Sequence, residues 1–351
     1  MERKTKVNKL ITFTNIVMTV AVVMIHSNPS SMLENDEMIF VKFFTLIDTI
    51  CDMAVPSFFF ISAFLFYRNV TDIKKQYGAK MHKRLKTLVV PYFIFSGGWM
   101  VLFSLMSLVP FTNSFIDNSM FESTLVENVD AFLMSRYYGP SWFLQVLFFL
   151  CLISPIIYYV IKSNVIIAPC VSGVLLIVNC IFPTSHFGLI SWVPLFTMGI
   201  WCALFFDKID ARIQTWEKNN KAKLLIIILW GVIFYGALGN RSSNVIDEPR
   251  YHVYRILGGI LFLLILYMII PTDKVHDKLR LSEMTFFIYM VHFPIVCIIK
   301  ELLVLVIPAR GIMSIVVYVL TVSIGIFCIC CIGRLCKRLT PKIWKIICGG
   351  R

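Results

Sequence analysis

Two histidines in this chain stand where an ionisable side chain is costly. His26 closes the apolar stretch Val22-Val23-Met24-Ile25-His26-Ser27. His292 lies inside Phe286-Phe287-Ile288-Tyr289-Met290-Val291-His292-Phe293-Pro294. Ionisable groups in such runs mark functional sites by default, and imidazole is the side chain best suited to move a proton near neutral pH. Tyr289 precedes His292 by three residues and so shares its helix face. The plainer alternative for each histidine is a structural one, bonded to a neighbouring helix. Asp48 and Asp52 are four residues apart and also share a face. They fit a proton or cation site, or, more simply, the wet interfacial entry to a helix. The longest basic segment runs from Arg68 to Lys86, with Lys80, Lys83, Arg84 and Lys86 just ahead of Pro91-Tyr92. An arginine fork holds a phosphate through two parallel bonds, so this segment reads either as a cradle for a phosphorylated ligand or as ordinary charge flanking a membrane span.

The elements that must position these groups follow from composition. Of 351 residues, 58% are hydrophobic and only 15% charged, whereas soluble domains are about 45–50% apolar and about 25% charged. A soluble or disordered chain is excluded. Length alone suggests about two domains, but a membrane-embedded bundle needs no such split, and the chain reads as one domain over residues 1–351. A membrane-spanning helix needs about 20 mostly apolar residues. Ten runs qualify, at 10–28, 43–66, 88–110, 142–161, 165–182, 188–206, 223–239, 254–270, 284–305 and 312–332. The second is interrupted by Asp48 and Asp52. The fifth and sixth are joined by the tight turn Phe182-Pro183-Thr184-Ser185-His186. The fold class is therefore all-α, a polytopic transmembrane bundle. Within the second run, Ser62 and Ala63 are small enough to let helices approach closely.

Lys and Arg fix the orientation. Of the 33, 26 fall in 1–9, 67–87, 162–164, 207–223, 271–281 and 333–351, and 7 elsewhere. These six segments are expected in the cytoplasm, with both termini. The net charge of +13 then reads as facing membrane lipids, not nucleic acid. The opening Met1–Lys9 and its apolar run resemble a signal peptide, but Ser27-Asn28-Pro29 is a poor cleavage site, so an uncleaved first span in a cell membrane is expected. Of the eleven Cys, most sit singly in apolar runs, and Cys328, Cys330 and Cys331 lack zinc-site spacing, so no metal is expected. Tyr137-Tyr138 and Trp142 read as an aromatic belt at headgroup level. The outer segments at about 28–42 and 111–141 are the candidates for shaping an outward-facing acceptor site.

Taken in order, these motifs resemble the integral membrane acyltransferases of acyltransferase family 3, among them bacterial polysaccharide O-acetyltransferases. The resemblance spans nearly the whole chain. It rests on Val23-Met24-Ile25-His26-Ser27, on Ala54-Val55-Pro56-Ser57-Phe58-Phe59-Phe60-Ile61-Ser62-Ala63-Phe64-Leu65 and on Lys83-Arg84-Leu85-Lys86-Thr87-Leu88-Val89-Val90-Pro91-Tyr92. Trp142-Phe143-Leu144 and Phe286 to His292 complete it. Two positions depart from the family pattern: Asn15 stands where an Arg or Lys usually precedes the first His by eleven residues, and Thr12 where an Asp is frequent. Lys9 is a nearby cation in a position to compensate. The resemblance implies transfer of an acyl group, most often acetyl, from cytoplasmic acyl-CoA to a hydroxyl of a cell-surface or lipid-linked glycan, in a bacterial cytoplasmic membrane. It implies His26 as general base, His292 with Tyr289 orienting the donor or stabilising an oxyanion, and Arg84 with Lys83 and Lys86 on the CoA phosphates. The rival reading from residues alone is a secondary transporter or flippase for a lipid-linked sugar. Transporter spans are often paired as repeats, and no repeat is visible here.

Overall fold

Proline, capping residues and charge decide where each apolar run becomes a helix. The computed structural model describes residues 2–33, 37–109, 119–182, 184–185, 187–238, 248–271, 277 and 280–350. Helices account for most of them, and no strand occurs among the described residues. The first half of the chain forms α1 (Glu2–Ser27), α2 (Met38–Cys51), α3 (Ala54–Tyr67), α4 (Ile73–Arg84), α5 (Val90–Ser107), α6 (Leu125–Leu133), α7 (Trp142–Ile161) and α8 (Ile167–Ile181). The second half forms α9 (Leu189–Leu204), α10 (Phe206–Glu217), α11 (Asn220–Ala237), α12 (Pro249–Val253), α13 (Gly259–Ile269), α14 (Thr285–Val304), α15 (Ile312–Leu339) and α16 (Pro341–Ile347).

Every one of the ten expected runs is helical. Among the described residues, eight helices are long and apolar enough to cross a membrane, or nine if α9 and α10, bent by 94°, count as one. The remaining run is α8, whose 15 residues rise about 22 Å, short of a hydrocarbon core of about 30 Å. The second run is α2 plus α3, which part at Asp52-Met53. Pro56 sits two residues into α3 and cannot donate to the Asp52 carbonyl, which lets the helix start afresh there. Pro110, Pro183, His186 and Gly239, at the edges of expected spans or turns, lie outside the described residues.

The basic stretches within 73–84 and 206–217 are themselves helical, which their low hydropathy concealed. The Asp72 side chain caps α4, accepting from the amides of Lys74 and Lys75. Thr124 and Glu127 form a reciprocal capping box on α6. Asn219 caps α11.

Close helix approach is built where small residues meet. A Cβ on Gly199 of α9 would lie 2.5 Å from the Phe60 carbonyl and 2.7 Å from the Ala63 Cβ. Ala63 thus faces the crossing with α9, as its size suggested. Gly259 meets Pro56 in the same way, at 2.8 Å.

Contacts between remote segments bring the basic stretches to one end of the bundle. Lys6 pairs with Glu217 at 3.2 Å, and Lys337 with Glu283 at 2.5 Å. Arg68 donates to the Asn8 side chain at 2.6 Å, and Gly349 packs on the Thr87 backbone. At the opposite end, Asn28 meets Asp48, Lys300 meets the Asn28 carbonyl, and Glu37 meets Gly311. This segregation fits an even number of crossings. Reporter fusions after Gly349 and at Val126 should therefore report opposite sides of the membrane. The same side for both would break the proposed topology.

Candidate functional site

The site is assembled from α1, α3, α4, α14 and the turn before α7. The rings of His26 and His292 lie 5.0 Å apart, tilted by 46°, and Phe293 meets His26 edge-on at 5.0 Å. The two histidines that stand 266 positions apart in sequence therefore pack against each other. His292 follows Thr285, the first residue of α14, by seven positions, about 10 Å at 1.5 Å per residue. The pair is thus well inside the bundle, with His292 fully buried and His26 half-buried.

The orientation of His292 is defined by its hydrogen bond. Its Nδ1 lies 2.7 Å from the Tyr289 carbonyl oxygen. A carbonyl only accepts, so Nδ1 carries the hydrogen and Nε2 of the neutral ring presents a lone pair. That Nε2 is buried and meets no hydrogen-bond partner among the described residues.

Pro294 explains what surrounds the histidine. Its missing N–H leaves the Met290 carbonyl without a helical donor. The Tyr138 hydroxyl supplies one at 2.7 Å, while the Tyr289 hydroxyl donates in return to the Pro140 carbonyl at 2.6 Å. The turn 137–141 is pinned to α14 just ahead of His292, at Tyr289 and Met290. Two expectations change here. Tyr137 and Tyr138 are buried, so they are not headgroup-level belt residues. Tyr289 spends its hydroxyl proton on Pro140, which leaves it to shape the pocket and not to donate to an oxyanion. Trp142 is half-buried and packs against Trp192 and Phe187.

Removing the Tyr138 hydroxyl tests this brace. Tyr138→Phe leaves the Met290 carbonyl unpaired, and a buried unsatisfied group costs about 1–3 kcal/mol. The purified variant should unfold at lower temperature than its parent. An unchanged unfolding temperature would show that Met290 needs no donor.

A cavity of about 560 Å³ runs from the basic end as far as Tyr289, one helical turn before His292. Lys80, Lys83 and Arg84 line its mouth, with Ser282 and Gly349, and Phe58, Phe143 and Tyr289 line its depth. Lys83 and Arg84 therefore share one cavity wall. Lys86 is exposed and is not part of the wall. The reason is local: after Arg84 the helix widens into a π turn over Leu85–Val89, which buries Thr87 and Leu88 and turns Lys86 outward. Lys80 was readable as basic but not as a wall residue. Its ammonium donates to the Phe66 carbonyl at 2.6 Å, and Arg84 to the Ser62 carbonyl at 3.2 Å. Both cations thus neutralise the carbonyl end of α3. Asn15 also lines the cavity, whereas Lys9 does not. Lys80, on the same wall as Asn15, is better placed than Lys9 to compensate for the family's basic residue.

Asp48 is not wet, whereas Asp52 is half-buried. Asp48 is buried and accepts from the Asn28 side chain at 2.6 Å, and Asp52 takes the Tyr251 hydroxyl. The segment after α1 and the short α12 roof the break between α2 and α3. Asn28 follows His26 by two residues, so Asp48 and Lys300 tie down the stretch that carries His26.

Comparison with known proteins comes to one match. A family model described as "Acyltransferase domain" covers residues 16–334. No curated protein and no solved structure matches the chain.

Proposed function

Because the chain belongs to acyltransferase family 3, whose domain occupies residues 16–334, we propose that it transfers an acyl group from acyl-CoA to a hydroxyl on the opposite face of a bacterial cytoplasmic membrane. The observation that carries this reading is where one cavity begins and ends. A cavity with cations at its mouth ends at Tyr289, one helical turn from the His26–His292 pair. The CoA phosphates bind Arg84 and Lys83, with Lys80 beside them. The pantetheine arm fills the apolar depth, and the thioester comes to rest near the histidines.

A hydroxyl is too weak a nucleophile to attack a thioester unaided. His26 takes its proton as the oxygen attacks the acyl carbon. The C–S bond breaks, the thiolate leaves, and the imidazolium returns the proton to sulfur. The products are an ester and CoA thiol. His292, with Nδ1–H held by Tyr289, keeps the ring beside His26 and offers Nε2 as a second proton acceptor.

The acyl group is acetyl in this reading, and the acceptor is a hydroxyl of a cell-surface or lipid-linked glycan. Deleting the protein from its host and comparing ester-linked acyl groups on surface glycans tests this. Loss of one ester-linked acyl group is expected. An unchanged ester profile, with lipid-linked sugar accumulating on the inner side, would favour a flippase instead.

A further inference from the structure

A second cavity, of about 570 Å³, opens at the basic end between α1, α3, α9, α10 and α13. It has no part in the donor path, although Ile61 of α3 walls both. Its volume falls within the range of about 300–1,000 Å³ common for small-molecule sites. Its interior is apolar, formed by residues such as Ile11, Phe64, Ile213 and Leu264.

The rim is the informative part. α10 leaves α9 at 94°, so if α9 crosses the bilayer α10 lies along its surface. Lys208 and Arg212 are four apart on α10, line the cavity, and are exposed. Neither forms an ion pair among the described residues. Of the three acidic groups on this helix two are engaged, and the third, Asp207, is exposed but does not line the cavity. Asp210 is buried and accepts from Gln214 at 2.8 Å and from the Tyr267 hydroxyl. Glu217 is paired with Lys6. An apolar chamber therefore carries two exposed cations at its mouth, Lys208 lying also over the Phe205 ring, and in that orientation they stand at the level of the membrane surface.

We propose that this cavity is a binding site for an anionic glycerophospholipid, with one acyl chain in the chamber and the phosphate headgroup on Lys208 and Arg212. Basic residues near an anionic headgroup favour it by an amount that, for two cations, corresponds to about a tenfold or greater preference over a zwitterionic lipid. Surface amphipathic helices carry the same division, with an apolar face inward and basic residues at the headgroups. This inference does not depend on the acyl-transfer reading.

Trp201 and Trp216 line the chamber and make it visible to fluorescence. The full-length protein, purified in nonionic detergent, is titrated with phosphatidylglycerol bearing brominated chains, which quench nearby tryptophan, and separately with brominated phosphatidylcholine. Saturable quenching is expected with a single phosphatidylglycerol, and phosphatidylcholine should require about tenfold or more higher concentration. The exposed pair Lys208→Ala with Arg212→Ala should bring the two lipids to equal affinity without loss of folding. Trp201→Phe with Trp216→Phe should remove the saturable component. Equal, non-saturating quenching by both lipids would overturn the proposal, and so would a saturable component that survives loss of both tryptophans. Displacement of the brominated lipid by a long-chain acyl-CoA would also overturn it, by making the chamber a site for the acyl donor.

Discussion

His26→Gln should lose acyl transfer by about 10²–10⁴-fold, the usual contribution of a general base, while the protein still inserts in the membrane. Glutamine keeps much of the shape and hydrogen bonding of histidine but cannot take up a proton. The loss should match that of His26→Ala. His292→Ala should lower activity by a smaller factor, because its Nδ1–H bond to the Tyr289 carbonyl gives it a positioning part beside the reacting group. The measurement is acyl transfer per mole of purified protein, with helix content checked in parallel. Near-parental transfer by His26→Gln would make His26 structural, and His292, with its lone pair on Nε2, would become the base.

Arg84→Ala should weaken acyl-CoA binding by about 10- to 150-fold, since a hydrogen bond to a charged group contributes about 1.5–3 kcal/mol. Its affinity should also fall less steeply with added salt, because one screened charge pair is gone. Arg84→Lys should recover part of the affinity but not the bidentate geometry. Lys86→Ala serves as the contrast: it lies outside the cavity wall and should bind as the parent does. Because Arg84 also bonds the Ser62 carbonyl, unfolding temperature is measured alongside. An Arg84→Ala protein of normal stability with unchanged affinity and salt dependence would remove the basic cluster from donor binding.

The apolar runs alone were enough to locate the helical segments, eight or nine of which, among the described residues, are long enough to span, because in a bilayer every backbone group must be satisfied within its own segment. Depth was harder to read. His26 sits near the end of its run, which suggested a place near the outer surface, yet its neighbour His292 lies about 10 Å into α14. Two helices can overlap unevenly, and no pattern within either one reports their stagger. The meeting of His26 with His292 was likewise invisible, since it depends on packing between α1 and α14. Pro294 did carry a usable signal. A proline four residues after Met290 demands an outside donor, and Tyr138 is a motif neighbour of Trp142. Lys80 and Lys86 show the opposite limit. Both are lysines in one basic stretch, and only the π turn after Arg84 decides which faces the cavity.

The most direct test of the path from cation-lined mouth to histidine pair uses purified protein in sealed vesicles. Acetyl-CoA labelled in its acetyl group is supplied on the side of Arg84, and a hydroxyl-bearing oligosaccharide is enclosed on the other. Labelled ester should form on the enclosed acceptor, and it should fail to form with His26→Gln. Label that stays on CoA in vesicles of the intact protein, or equal ester formation with and without His26, would contradict the account.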